Sequence, residues 1–236
     1  MERFKIAGLC VALLLLLTGS AFAQWQWEYK PELSYNFTAV HFPTATVGYV
    51  VGSGGVIFKT IDGGATWNQQ TSPTASNLND VFFVDALNGY AVGAAGAIIF
   101  TTNGTDWSVH PQSGVITTAT IYGVSFVGSN GWIGGGADNV VCQIYSTTDG
   151  GATWANNVVT NPSTDVCTDI KFATASVGVA SIDANGCMYT TDGGANWVRS
   201  TMNYGAYPYS RFDVEAVYPV SATTWVATGW GSNIGL

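Results

Sequence analysis

The residues of this chain with the most evident chemical potential are aspartates set among glycines in tight turns. The stretch KTIDGGATW places Asp62 two residues after a threonine and five before Trp67, and it returns as STTDGGATW around Asp149 and YTTDGGANW around Asp192. A carboxylate in a glycine-rich turn suits a catalytic acid or a calcium ligand. It equally suits a turn lock: Asp accepts the backbone N–H groups that follow it, Gly adopts backbone angles that other residues resist, and Thr adds a hydroxyl bond. Recurrence decides between the two. A catalytic acid is needed once, whereas the set recurs as Thr60, Asp62, Gly64, Thr66 and Trp67, as Thr147, Asp149, Gly151, Thr153 and Trp154, and as Thr190, Asp192, Gly194, Asn196 and Trp197. A fourth copy, TTNGTDW, is one residue shorter and sets Asn103 and Gly104 ahead of Trp107. An Asn-Gly turn forms without a carboxylate. The recurrent aspartate is therefore read as structural, with no catalytic, cofactor or metal role.

These turns sit inside a longer period. The box tryptophans Trp67, Trp107, Trp154 and Trp197 are separated by 40, 47 and 43 residues. A second marker keeps step with them: Phe42, Phe83, Phe126, Phe172 and Tyr218 each end a short apolar run. A third follows at Tyr49, Tyr90, Trp132, Val179 and Trp225, usually just after a glycine. The second unit is the clearest, reading LNDVFFVD, GYAVGAA, GAIIFTT, a turn and DWSVHPQ, which is four short strands. Runs such as VFFV and AIIF are apolar on both sides of the pleat, so each small sheet must be covered on both faces. Four-stranded sheets at this period predict an all-β propeller, with a solenoid as the competing repeat architecture. The units fall at about 36–77, 78–118, 119–165 and 166–211, with a partial fifth over 212–236.

The ends of the chain carry further expectations. Residues 1–23 combine Arg3 and Lys5, an apolar run from Ile6 to Leu17 and an Ala21-Phe22-Ala23 cleavage pattern, which predicts a secretory signal and an exported chain, in the periplasm, at the cell surface or outside the cell. Trp27 stands fifteen residues before Phe42, much as Trp67 stands sixteen before Phe83, so residues 24 onward resemble an isolated fourth strand. The C-terminal unit supplies only two strands. The pieces are complementary without completing a blade, so the expectation is a chain that continues past Leu236, with a compact five-bladed ring as the alternative.

Composition narrows the partners. Without the leader, fourteen acidic and five basic residues remain, a formal net of −9 that argues against nucleic acid and anionic lipid. Cys142, Cys167 and Cys187 leave an odd number beyond the leader, compatible with one disulfide plus a free thiol or with three buried hydrophobes. His41 and His110 stand far from any cysteine and are read as strand or loop residues. Trp25, Trp27 and Tyr29 are aromatics that could stack on sugars or fill an outer strand.

One column invites a binding role. Three residues before each first-strand aromatic stand Ala39, Asp80, Gly123, Asp169 and Glu215. First strands line a propeller's axis, so Asp80, Asp169 and Glu215 are expected at one channel mouth. There they form a partial acidic ring for a cation or basic peptide, or else cap the loops entering the strands.

The boxes resemble the Asp-box, or bacterial neuraminidase repeat, and the unit LNDVFFVDALNGYAVGAAGAIIFTTNGTDW is similar to repeats of the photosystem II stability and assembly factor family. That resemblance implies a non-enzymatic propeller that binds protein, an envelope or membrane complex among the candidate partners, and needs no cofactor. Those factors are thought to use an arginine-rich patch, and this chain departs from them in having only Arg199 and Arg211 beyond the leader. Asp-boxes also occur in sialidases, sortilin-type receptors and xyloglucan-degrading enzymes, so a glycan-active or carbohydrate-binding propeller is the alternative.

Overall fold

A computed structural model describes residues 9–11, 26–28, 35–136, 142–157, 166–182, 186–200 and 211–232. Each sequence unit folds into one antiparallel sheet with its strands in chain order. The first blade comprises β3 (Phe37–His41), β4 (Gly48–Gly52), β5 (Ile57–Thr60) and β6 (Asn68–Gln70). The second is β7 (Leu78–Phe83), β8 (Gly89–Gly93), β9 (Ile98–Thr101) and β10 (Ser108–Val109). In the third, β11 (Thr120–Val127), β12 (Asn130–Gly136), β13 (Gln143–Thr147) and β14 (Ala155–Asn157) follow the same order, as do β15 (Cys167–Phe172), β16 (Gly178–Ile182), β17 (Gly186–Thr190) and β18 (Val198–Arg199) in the fourth. A two-stranded sheet of β19 (Arg211–Pro219) and β20 (Trp225–Ser232) comes next. Towards the N-terminus, β1 (Leu9–Val11) pairs with β2 (Gln26–Glu28). The segment expected as an isolated fourth strand thus pairs with residues 9–11 rather than with the last sheet.

The apolar character of both strand faces has a direct structural use, because the hydrophobic clusters lie between blades. Tyr49, Val51 and Ile57 of blade one pack with Leu78, Val81, Phe83 and Trp107 of blade two. Tyr90, Val92 and Ile98 of blade two pack with Ile121, Val124, Phe126 and Trp154 of blade three. Trp132, Cys142 and Ile144 meet Cys167, Ile170, Phe172 and Trp197 of blade four, and Val179 and Cys187 meet Val214 and Val217 of β19. The second strands β4, β8 and β16 are buried at every residue, which their non-alternating sequences require.

Every first strand carries a register shift at one place: between Phe37 and Ala39, Leu78 and Asp80, Ile121 and Gly123, Cys167 and Asp169, and Val214 and Ala216. Such a bulge bends the strand and turns its skipped residue out of the ladder. The skipped side chains then reach the next blade: Thr38 Oγ1 donates to the Leu78 carbonyl at 2.5 Å, Asn79 Nδ2 to that of Ile121 at 2.9 Å and Thr168 Oγ1 to that of Val214 at 2.8 Å. The five first strands therefore lie side by side, held by side-chain bonds in place of a backbone ladder.

Candidate functional site

The box turns are closed hydrogen-bond cages. In the first, Asp62 Oδ1 accepts from Thr60 Oγ1 at 2.7 Å and from the Thr66 amide at 2.9 Å, while Oδ2 accepts from Thr66 Oγ1 at 2.6 Å. Thr60 Oγ1, itself buried, accepts from the Gly64 amide at 2.9 Å. Asp149 and Asp192 repeat these bonds, with Asn196 Nδ2 replacing the second threonine hydroxyl in the last box. Side-chain bonds from Thr66 and Asn196 hold Asp62 and Asp192 down at about 2, and those from Thr147 and Thr153 hold Asp149 below the usual carboxylate range. In the second box Asn103 Oδ1 accepts from the amides of Thr105 and Asp106, and Asn103 Nδ2 donates to Asp106 Oδ2 at 2.9 Å, so the carboxylate has moved three residues along the turn.

The same turns dock blades onto one another. Tyr49 Oη of blade one donates to the Gly104 carbonyl at 3.0 Å, Tyr90 Oη of blade two to that of Gly150 at 2.8 Å, and Trp132 Nε1 of blade three to that of Gly193 at 2.8 Å. A Cβ at Gly151, whose φ is 90°, would stand 2.5 Å from the Tyr90 ring. The docking aromatic also stacks on the next blade's first-strand aromatic: Tyr49 on Phe83 at 3.7 Å, Tyr90 on Phe126 at 5.0 Å and Trp132 on Phe172 at 3.5 Å. The box tryptophans Trp107, Trp154 and Trp197 stand edge-on to those same rings. In blades one to three the third sequence marker is thus the near half of an interblade clamp, of which the box glycine is the far half.

Towards the axis, Asp80 and Asp169 occupy equivalent positions just after the bulge. Asp80 Oδ2 accepts from the Val124 amide of blade three at 2.9 Å, and Asp169 Oδ2 accepts from the Val217 amide of β19 at 3.0 Å. Between them lies Lys171, whose Nζ is 2.8 Å from Asp80 Oδ2 and 3.0 Å from Asp169 Oδ1. Burial alone would lower the Lys171 pKa, but the two carboxylates outweigh it and the ammonium is held above its ordinary value. Gly123 keeps the space open: a Cβ there would meet the Ile170 amide nitrogen at 2.8 Å and Asp169 Oδ1 at 3.1 Å.

Two residues from the bulge position stand His41, Phe82, Ser125 and Lys171. His41 Nδ1 accepts the Phe83 amide at 3.2 Å and Ser125 Oγ accepts the Phe172 amide at 3.0 Å, so both serve as caps for the following blade. Burial, followed by the positive charge of Lys171, lowers the His41 pKa to about 4.

The expected acidic ring does not form as a set of three. Asp80 and Asp169 meet through Lys171, but Glu215 is the skipped residue at its bulge and is exposed, with Ala216 in the position equivalent to Asp80. The alignment on Tyr218 misplaced it by one residue, because the buried residues of that strand are Val214 and Val217 and Tyr218 is exposed. Lys171 and His41 were not singled out as site residues by the sequence. The signal for Lys171 was a cation inside the apolar run DIKF, two residues after Asp169. Trp25 and Tyr29 lie outside the described residues.

The opposite edge of each blade carries charge. Asp62, Asp85, Asp106, Asp149 and Asp192 are exposed. They lie at the end where box turns bond to the loops joining first and second strands, as in Gly63 N to the Thr46 carbonyl and Gly193 N to that of Ser176, both at 2.9 Å. Between the outer strands of blades one and two runs an open cleft of about 500 Å³ lined by Lys59, Gln70, Asp106 and Trp107.

The family described as Photosynthesis system II assembly factor YCF48 matches residues 66–197, a span that contains three complete box turns. The chain belongs to this family. Among solved structures, YCF48 from Cyanidioschyzon merolae aligns with 88% of this chain and 68% of its own at 15% identity, with a TM-score of 0.62. An ancestral GH74 enzyme aligns with 77% of this chain at 14% identity and a TM-score of 0.63, over 25% of its own length. YCF48 bound to D1 peptide aligns with 86% of this chain and 95% of its own at 15% identity, with a TM-score of 0.46. The fold is a β-propeller. At such identities the likeness to the GH74 enzyme extends to the blades alone. A comparison with curated proteins gave no match.

Proposed function

We propose that this chain is an exported, non-enzymatic propeller that binds another protein and acts as a scaffold for its assembly, with a complex of the cell envelope or a membrane as the destination. The observation that carries this reading is the family match over residues 66–197, which falls on the repeats themselves. Surface charge supports it. Asp62, Asp149 and Asp192 on the rim are held ionised by their own turns, and a net charge of −8 favours a partner segment rich in lysine and arginine. The resembled factors are thought to use an arginine-rich patch, which this chain's two arginines beyond residue 23 do not match, and its acidic rim favours a partner of the reverse charge.

The channel carboxylates fit a brace better than a catalytic pair. A glycoside hydrolase needs two carboxyl groups facing substrate across an open cleft, whereas Asp80 and Asp169 are each bonded to a neighbouring strand amide and to Lys171. Residues 1–23 support export by their pattern of charge, apolar run and small residues.

The test is a binding assay on the chain lacking residues 1–23, with a D1 peptide as first probe and detergent-solubilised envelope proteins of the source cells as the second. Retention of a defined protein at low salt, and its release as ionic strength rises, is the expected result. Release of sugar from xyloglucan or a sialoglycan, with no protein retained, would instead establish the glycan-active reading.

A further inference from the structure

The sequence leaves three cysteines beyond the leader and no way to pair them. The structure separates them into two environments. Cys142, just before β13, and Cys167, which opens β15, share the cluster between blades three and four, where they are 4% and 0% exposed. Cys167 Sγ donates to the Asp169 carbonyl at 3.4 Å, and the neighbouring Cys142 thiol is among the groups that raise its pKa. Cys187 lies in the next cluster, with Val179, Val214 and Val217. Space for the first pair is prepared by a glycine: a Cβ on Gly134 of β12 would stand 2.5 Å from Cys167 Sγ, so any larger residue there would displace the thiol.

We infer that Cys142 and Cys167 are a modification site, forming a disulfide that staples blade three to blade four when the chain folds in the presence of a disulfide oxidant. One thiolate attacks the oxidant R–S–S–R and expels one R–S⁻. The second thiolate attacks the resulting mixed disulfide and expels the other. The two cysteines lose two protons and two electrons, and the oxidant gains them as two R–SH. Hydrogen bonding to Cys142 and burial hold the Cys167 thiol protonated, and burial raises Cys187 to about 11, so attack is slow once the blades have closed. The bond therefore forms while blade four docks. It closes a loop of about 25 residues, which by chain entropy raises the thermal midpoint by roughly 10 °C in a domain of this size. This inference is independent of what the propeller binds.

The experiment refolds the chain lacking residues 1–23 with oxidised glutathione, blocks remaining thiols with an alkylating reagent and maps peptides by mass spectrometry. A cross-linked peptide pair containing Cys142 and Cys167, two hydrogens lighter than the sum of its thiol forms, with Cys187 alkylated, is the expected result. The midpoint should fall by roughly 10 °C on reduction. The Cys187→Ser variant should keep both the link and the shift, and Cys142→Ser should lose both. A link involving Cys187, or three alkylated cysteines after oxidative refolding, would overturn the inference.

Discussion

Two kinds of side chain give this molecule its response to acid, and they act in different ranges. His41 caps the Phe83 amide through Nδ1, which can accept only while unprotonated, and its pKa is lowered from 6.5 to about 4 by burial and then by Lys171. A group with a depressed folded pKa that folds uncharged contributes stability above its unfolded value. That contribution is lost as pH falls from 6.5 to 4, by up to about 3 kcal/mol. Asp62 and Asp192 fold charged with pKa lowered from 3.8 to about 2, so their contribution is full above 3.8 and disappears between there and 2. Thermal midpoints measured across pH should therefore fall in two steps. His41→Asn keeps an acceptor oxygen without a titrating ring, so it should flatten the upper step and leave the lower one. Parallel profiles for the two proteins would mean that His41 stays neutral for another reason or is not a cap.

At the scale of strands, equivalent positions do equivalent work with unequal success. Gln70 ends β6, donates to the Gly104 carbonyl and accepts from Trp107 Nε1 at 2.8 Å. The position recurs as His110, whose amide bonds the Ile98 carbonyl, and as Asn157, paired with Ile144 as Gln70 is with Ile57. Trp197 Nε1 is buried with no hydrogen bond to any described residue, and Asn157 Nδ2 approaches the neighbouring Gly194. One more methylene would bring an amide oxygen to that indole. Asn157→Gln should stabilise the chain by about 1 kcal/mol, read as a midpoint shift of roughly 2–4 °C; a destabilised variant would show that the pocket has no room. Positions of this kind mark where reading the sequence succeeds and where it stops. The box turns, the period and the four strands per unit were legible because glycine, aspartate and tryptophan each carry local requirements. The partner of Tyr49 lies 55 residues away at Gly104, and nothing near either residue announces the other. Glu215 was misassigned because Tyr218 stands one residue before the position equivalent to Phe83, so an alignment on aromatics slips that strand by one and exchanges its two faces.

Across the whole molecule, cohesion comes from layers between neighbouring blades, which by itself would make stability a sum of nearest-neighbour terms. Lys171 breaks that rule. Its ammonium leaves blade four and reaches Asp80 of blade two, passing the Val124 carbonyl of blade three at 3.4 Å. Lys171→Met should therefore lower stability by about 2 kcal/mol, a value reduced for the quarter of the side chain that meets solvent, because two carboxylates would face each other without a cation. Denaturant unfolding would measure that loss, and no change would mean that water replaces the ammonium at no cost. The contact has a mechanical meaning too. Sheets joined only to their immediate neighbours form a hinged chain whose curvature each interface sets separately, and small errors accumulate around the arc. A strut from the second sheet to the fourth turns two hinges into a triangulated frame, so the angle subtended by the middle blades is set once and shared. Rigidity of the rim, and with it the spacing of whatever the rim presents, is then governed from a single ammonium at the centre.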